Sequence, residues 1–226
     1  KEVRGALDSE GVWIFEQSYM PTMLKTNSFD TICHEHLDFY ALTQIQWILK
    51  EAGLKLLDVE FNDVNGGSFS VTAALSDSEQ YVNKEFISKV LNEEKRLCLD
   101  KSSTYSAFND RVAKEKSVFL DFLRSSQEAG KVVSGLGAST KGNVLLQYYG
   151  ITSDLINEIG EVNADKFGSF TPGTLIPLLP EAEVLDKNPD YLVILPWHFK
   201  EFFIKLPSLK GRKLVFPLPN FEIVEL

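Results

Sequence analysis

Cysteine is nearly absent: two residues in 226, at positions 33 and 98. So small and scattered a set excludes a disulfide scaffold and reads as a reduced, cytoplasmic protein. Basic charge is also short. Lys and Arg number 23 against 32 Asp and Glu, a net charge of −9. That balance argues against nucleic acid and anionic membrane surfaces as partners, while leaving room for a local cationic pocket. No apolar run is long enough to span a bilayer, and no signal peptide is visible. The first residue is Lys1 rather than Met, in what reads as the end of a helix running straight into a strand. We therefore expect a fragment of a longer protein.

Histidine is scarce as well, three in all, but two of the three fall in one segment, Thr31-Ile-Cys-His-Glu-His-Leu-Asp-Phe-Tyr40. His34 and His36 flank Glu35, and Tyr40 follows. Imidazole is the side chain whose ordinary pKa lies closest to neutrality, so it suits proton transfer at working pH. A neighbouring carboxylate can raise its basicity or fix its tautomer. Three readings compete here. A metal could use the two histidines and Cys33, but a zinc site wants three or four ligands and the remaining Cys98 and His198 are distant in sequence. A buried turn could use the imidazoles only to satisfy backbone groups. General acid–base chemistry is the preferred reading, with no metal expected in this chain.

Composition divides the rest. Residues 1–76 hold a continuous apolar strand, Val12 to Phe15, then the histidine segment, a helix opening at Thr43-x-x-Gln46 as a capping box, and an antiparallel strand pair around Asn62-Asp-Val-Asn-Gly-Gly67. Leu42 and Trp47 are placed for a hydrophobic staple on that helix. Residues 77–129 show apolar positions at helical spacing, from Val82 to Leu123, with charges between. They predict two amphipathic helices broken near Asp100, a connector that could also serve a dimer contact. Residues 130–226 alternate short strands with helices, which indicates a small parallel sheet.

Within that last region, Gly135-Leu-Gly-Ala-Ser-Thr-Lys-Gly142-Asn143 joins a strand to a helix. Backbone N–H groups and the dipole at such a junction attract anions, and Ser139, Lys141 and Asn143 add side-chain donors. The spacing is neither G-x-G-x-x-G nor the Walker pattern, and turn geometry alone could require the glycines. A phosphate contact is preferred. Leu195-Pro-Trp-His198 should lie at the same edge of the sheet, where open α/β folds bind ligands. His198 either faces that ligand or plays a structural part.

Five motifs together resemble a family of S-adenosylmethionine-dependent C-methyltransferases, some acting on nucleotide-linked deoxysugars. They are Thr31-Ile-Cys-His-Glu-His-Leu37, Asn65-Gly-Gly-Ser68, Gly135 to Asn143, Lys166-Phe-Gly-Ser-Phe-Thr-Pro-Gly-Thr174 and Ile194-Leu-Pro-Trp197. The resemblance implies an α/β fold: residues 1–76 as the end of a class I methyltransferase Rossmann-like sheet, 77–129 as a helical connector, and 130–226 as a C-terminal Rossmann-like domain. It implies His36 as the base that removes a proton beside a sugar ketone, with Glu35 and His34 assisting. In sugar-acting members the residue at Cys33 is often tyrosine. Tyr40, Asn65, Gly67, Ser68, Ser139, Lys141, Asn143 and His198 become expected contacts to a small-molecule nucleotide-sugar substrate. The cofactor would be S-adenosylmethionine, its site mostly outside this chain, with zinc expected only in the missing N-terminal region. The protein is expected to be a monomer or homodimer. A rival reading, a nucleotide- or NAD-binding module, lacks an obvious acidic ribose ligand. A third is a catalytically silent scaffold.

Overall fold

A computed structural model describes residues 1–226. Contacts divide the chain into two compact units along lines that composition does not mark. The first is Lys1–Lys25 with Leu37–Ala107, and the second Thr26–His36 with Phe108–Leu226. The histidine segment through His36 thus belongs, by contact, with the C-terminal part of the chain. No helix is long and apolar enough to cross a membrane.

The first unit opens with helix α1 (Glu2–Ala6), strand β1 (Val12–Ser18) and the short α2 (Met20–Lys25). Helix α3 (Leu42–Glu51), β2 (Leu54–Asn62), β3 (Ser68–Leu75) and α4 (Lys84–Arg96) follow, and α5 (Ser102–Glu128) begins in this unit. Its sheet is antiparallel, in the order β1-β3-β2. Phe69, Val71 and Ala73 of the central strand are fully buried, as their alternation requires. The buried parallel strand expected at Val12 to Phe15 needs correction. β1 pairs only with β3, antiparallel, and Val12 and Ile14 are 44% and 63% exposed. An apolar run predicts a strand, but its burial depends on what flanks it, and here β1 is an edge.

The α3 start also differs from expectation. The helix begins at Leu42, and the Gln44 side chain, not Gln46, accepts the N–H of Ala41 at 2.9 Å. Two further donors are met by Glu94 of α4, whose carboxylate accepts from Leu42 N–H at 2.7 Å and from Thr43 N–H at 2.9 Å. Trp47 is 64% exposed and staples nothing to the buried Leu42. A carboxylate from another helix does the capping, which no local pattern could reveal.

The second unit holds most of α5, then β4 (Val133–Leu136), α6 (Thr140–Tyr149), β5 (Ile159–Glu161), β6 (Leu178–Pro180), α7 (Glu181–Asp186), β7 (Tyr191–Ile194), α8 (Lys200–Phe203), β8 (Lys213–Phe216) and β9 (Glu222–Glu225). The sheet order is β6-β5-β4-β7-β8-β9, parallel throughout except for β9. This is a Rossmann-like order, with its topological switch between β4 and β7. Phe119 and Leu123 of α5, Leu145 and Leu146 of α6, and Leu192 to Ile194 of β7 are essentially inaccessible and form the core. Full burial of such side chains contributes roughly 1.5–3 kcal/mol each.

Candidate active site

Ser28 to His36 is a string of tight turns. Thr31 N–H donates to Ser28 O at 3.2 Å, Ile32 N–H to Phe29 O at 2.9 Å, Cys33 N–H to Thr31 O at 3.0 Å and His36 N–H to Cys33 O at 3.1 Å. Phe29–Thr31 forms one turn of 3-10 helix, and the bonds that follow it fix the backbone as turns. The segment is tied into the second unit at three points. Asn27 donates from Nδ2 to Pro219 O at 3.1 Å and accepts from Arg111 Nε at 3.0 Å. The Phe29 ring packs on Tyr148 and Tyr149, with centroids 5.1 and 5.2 Å away. Asp30, wholly buried, accepts the Trp197 indole N–H at 2.7 Å and the Ser28 hydroxyl at 2.8 Å. At the far end of the string, His34 and Glu35 lie on the surface, Nε2 to carboxylate 3.9 Å, and His36 is exposed beside them.

Helix α6 is capped at both ends. Ser139 caps it by accepting Gly142 N–H at 3.0 Å, and Gly150 closes the far end in left-handed geometry at φ 72°. Its first turn sits directly against the loop after β7. A Cβ on Gly142 would stand 2.9 Å from Leu195 Cβ, and one on Gly137 would stand 2.8 Å from the Pro196 ring. The glycines are therefore spent on close packing between the two crossovers. Lys141 in this turn is close enough to His198 for its charge to act on the ring. Asn143 Oδ1 and His198 Nδ1 are both buried with no hydrogen-bond partner. Burial first, then the Lys141 charge, push the His198 imidazole down to about 4. Burial also lowers Lys141 below the usual lysine range, opposed by Asp30 and Cys33. The site thus holds a partly desolvated cation beside a neutral imidazole, an arrangement that favours an anionic or hydroxyl-rich ligand.

An acidic residue does stand where a ribose ligand would, contrary to the sequence reading: Glu161 ends β5. Its carboxylate is already full. Oε2 accepts from Ala138 N–H at 3.1 Å and Lys166 Nζ at 3.2 Å, and Oε1 from Val162 N–H at 2.7 Å and Asn163 N–H at 3.0 Å. Four donors exhaust the lone-pair sites of a carboxylate. Burial works against the Glu161 charge, but the Asn163, Lys166 and Val162 donors prevail and hold it below the ordinary range. The carboxylate that a ribose hydroxyl would meet at this turn is therefore already occupied by four protein donors.

In the first unit, Tyr40, Gly67 and Ser68 gather at the end of β1. Tyr19 N–H donates to Gly67 O at 3.1 Å and Met20 N–H to Tyr40 O at 2.9 Å. Gly67 has φ 126°, and a Cβ there would lie 2.3 Å from Thr22 Cγ2, so only glycine serves. Ser68 is buried and donates to Val64 O at 2.9 Å. Asn65 is exposed in the turn at φ 54°. Asp30, Trp197 and Glu161 are the residues that sequence reasoning passed over. Trp197 carried a signal, as part of a matched motif, and Asp30 only its place just ahead of the histidines. No group of three or more His, Cys, Asp or Glu side chains gathers as for a metal ion.

Comparison with known proteins bears on these features together. The model of the C-methyltransferase C-terminal domain matches residues 63–219. This chain belongs to the C-methyltransferase family. It is 30% identical over 225 residues to C-methyltransferase NovU of Streptomyces niveus, covering 98% of this chain and 53% of that protein. The chain spans about half the length of the curated relative it matches. The family match covers β3, the connector and the Rossmann-like sheet as far as β8. The string of turns at 28–36 lies ahead of it.

Proposed function

We propose that this chain supplies the base and the substrate-phosphate contact of a C-methyltransferase acting on a carbon beside a ketone of a nucleotide-linked sugar. The observation that carries this is the joining of the His34-Glu35-His36 turns, by contact, to the same unit as the capped start of α6. His36 removes the proton, since an imidazole suits a carbon acid made stronger by an adjacent carbonyl. Glu35, whose carboxylate lies 3.9 Å from His34 Nε2, and His34 are proposed to assist it. The α6 N-terminus and Lys141 hold a phosphate group of the substrate, a remote handle that aligns the reacting carbon. Asn143 and His198 remain proposed substrate contacts of the second unit. Tyr40, Asn65, Gly67 and Ser68 remain proposed substrate contacts of the first unit. The methyl donor, S-adenosylmethionine, supplies the electrophilic carbon, and the residues at the β4 turn are not its seat.

Solvent-deuterium exchange tests the base directly. The full-length gene product, with nucleotide sugar but without methyl donor, should exchange the proton beside the ketone. His36→Ala should slow that exchange about 10²–10⁴-fold. Exchange at the wild-type rate in the variant would exclude His36 as the base.

A further inference from the structure

Asp30 is the most deeply buried acid of the second unit that the proposed chemistry leaves unused. Its side chain is 0% exposed, and both oxygens are engaged, one by Ser28 and one by Trp197 across 167 positions of sequence. Burying a carboxylate is costly unless it is paired and hydrogen-bonded. A fold that retains one here gains a fixed point in return. From that point the chain reaches His36 in six residues, the backbone bonds Thr31 to Ser28 and Ile32 to Phe29 closing around Asp30 and Cys33 to Thr31 and His36 to Cys33 carrying the turns onward. Little slack remains in such a string, so the anchor sets where its far end lies. The other end of the anchor is equally firm. Trp197 is 5% exposed, immediately follows the Leu195-Pro196 pair packed on Gly142 and Gly137, and sits edge-on to His198 at 5.7 Å. One hydrogen bond therefore references the histidine turns to the loop that carries His198 and to the start of α6.

We propose that Asp30, gripped by Trp197, is the positioning residue that fixes the His34–His36 turns against the ligand-facing edge of the second unit. The proposal rests on the reading of that turn as the site of proton removal. The carboxylate touches no substrate. It acts by geometry, and displacement of a catalytic group by about 1 Å costs on the order of a hundredfold.

Three variants of the full-length gene product test it. Trp197→Phe keeps a ring in the pocket and removes the donor. Asp30→Asn keeps an acceptor for the indole, while its amide can face Ser28 Oγ, which accepts as readily as it donates. Asp30→Glu keeps charge and acceptor but lengthens the tether by one methylene. We expect Trp197→Phe and Asp30→Glu to lower kcat and donor-independent exchange together by about ten- to a hundredfold. KM for the nucleotide sugar should stay within about twofold, and Asp30→Asn within about threefold of wild type in every parameter. Wild-type kcat in a folded Trp197→Phe overturns the proposal. So does a fall in kcat that tracks the loss of folded protein in a thermal melt, or one shared equally by Asp30→Asn, because each marks a merely structural bond. If Trp197→Phe does not fold, Asp30→Glu decides alone, and wild-type kcat there is the overturning result. If the wild type itself shows no exchange, the base assignment fails separately, and kcat for methyl transfer in the same variants still reads the positioning.

Discussion

Nδ1 of His198 is buried without a partner, and the ring titrates near pH 4 where a free imidazole titrates near 6.5. The sign of the consequence follows from proton counting. An unfolded chain takes up a proton here as pH falls past 6.5, while the folded ring refuses it until about 4. Above pH 6.5 this group costs nothing. Between pH 6.5 and 4 it progressively withdraws stability. His198→Asn should therefore flatten the decline of melting temperature over that window, read by scanning calorimetry at pH 7.5, 6 and 5. A variant whose melting temperature falls in parallel with wild type would acquit the ring. The ring is only partly buried, so the slope is modest. His198 and Asn143 could be named from sequence because they flank obvious junctions of an alternating α/β pattern. Asp30 could not, since Phe29-Asp30-Thr31 is an ordinary turn composition and its partner lies 167 positions away.

At the level of elements, Glu94 shows what local patterns miss. Thr43-x-x-Gln46 resembles a capping box, yet α3 begins two residues earlier and borrows part of its cap from α4. The Glu94 carboxylate also accepts the Tyr19 hydroxyl at 2.8 Å and the Thr43 hydroxyl at 2.6 Å. Truncation would leave the buried Leu42 N–H and Tyr19 hydroxyl without partners, each an unpaired group of about 1–3 kcal/mol. Glu94→Ala should destabilise the chain by about 2–5 kcal/mol, seen as a lower urea midpoint at unchanged slope. A shift under about 0.5 kcal/mol, the usual range for surface substitutions, would mean water replaces the carboxylate. The long elements were otherwise legible. The apolar spacing from Val82 to Leu123 predicts two helices with a break near Asp100, and α4 and α5 flank Leu97–Lys101. Strands of three residues such as β5 and β6 carry too few positions for a period to register, and the antiparallel β9 follows a cluster of prolines that conceals it.

For the molecule as a whole, the fold class could be read from alternation of strands and helices, and the family from five motifs in order. The filled carboxylate of Glu161 could not, because which lone pairs are taken depends on loops that converge only after folding. It makes a ligand prediction. NAD and S-adenosylmethionine should leave the melting temperature of this 226-residue chain unchanged, while a nucleotide sugar raises it. A submicromolar dissociation constant for either cofactor, by calorimetry, would contradict the occupied turn.

The seating of Thr26–His36 in the second unit has a consequence for heredity as much as for structure. The C-terminal unit is written in two places in the gene, with the coding for most of the first unit interposed. A crossover anywhere between positions 37 and 107 would join a recombinant's Asp30 to a Trp197 from the other parent. Swapping this domain between relatives, by nature or by a protein engineer, is thus confined to pairs whose two pieces still match. A C-terminal half excised along the family boundary at residue 63 leaves behind the segment that seats Phe29 and Asp30.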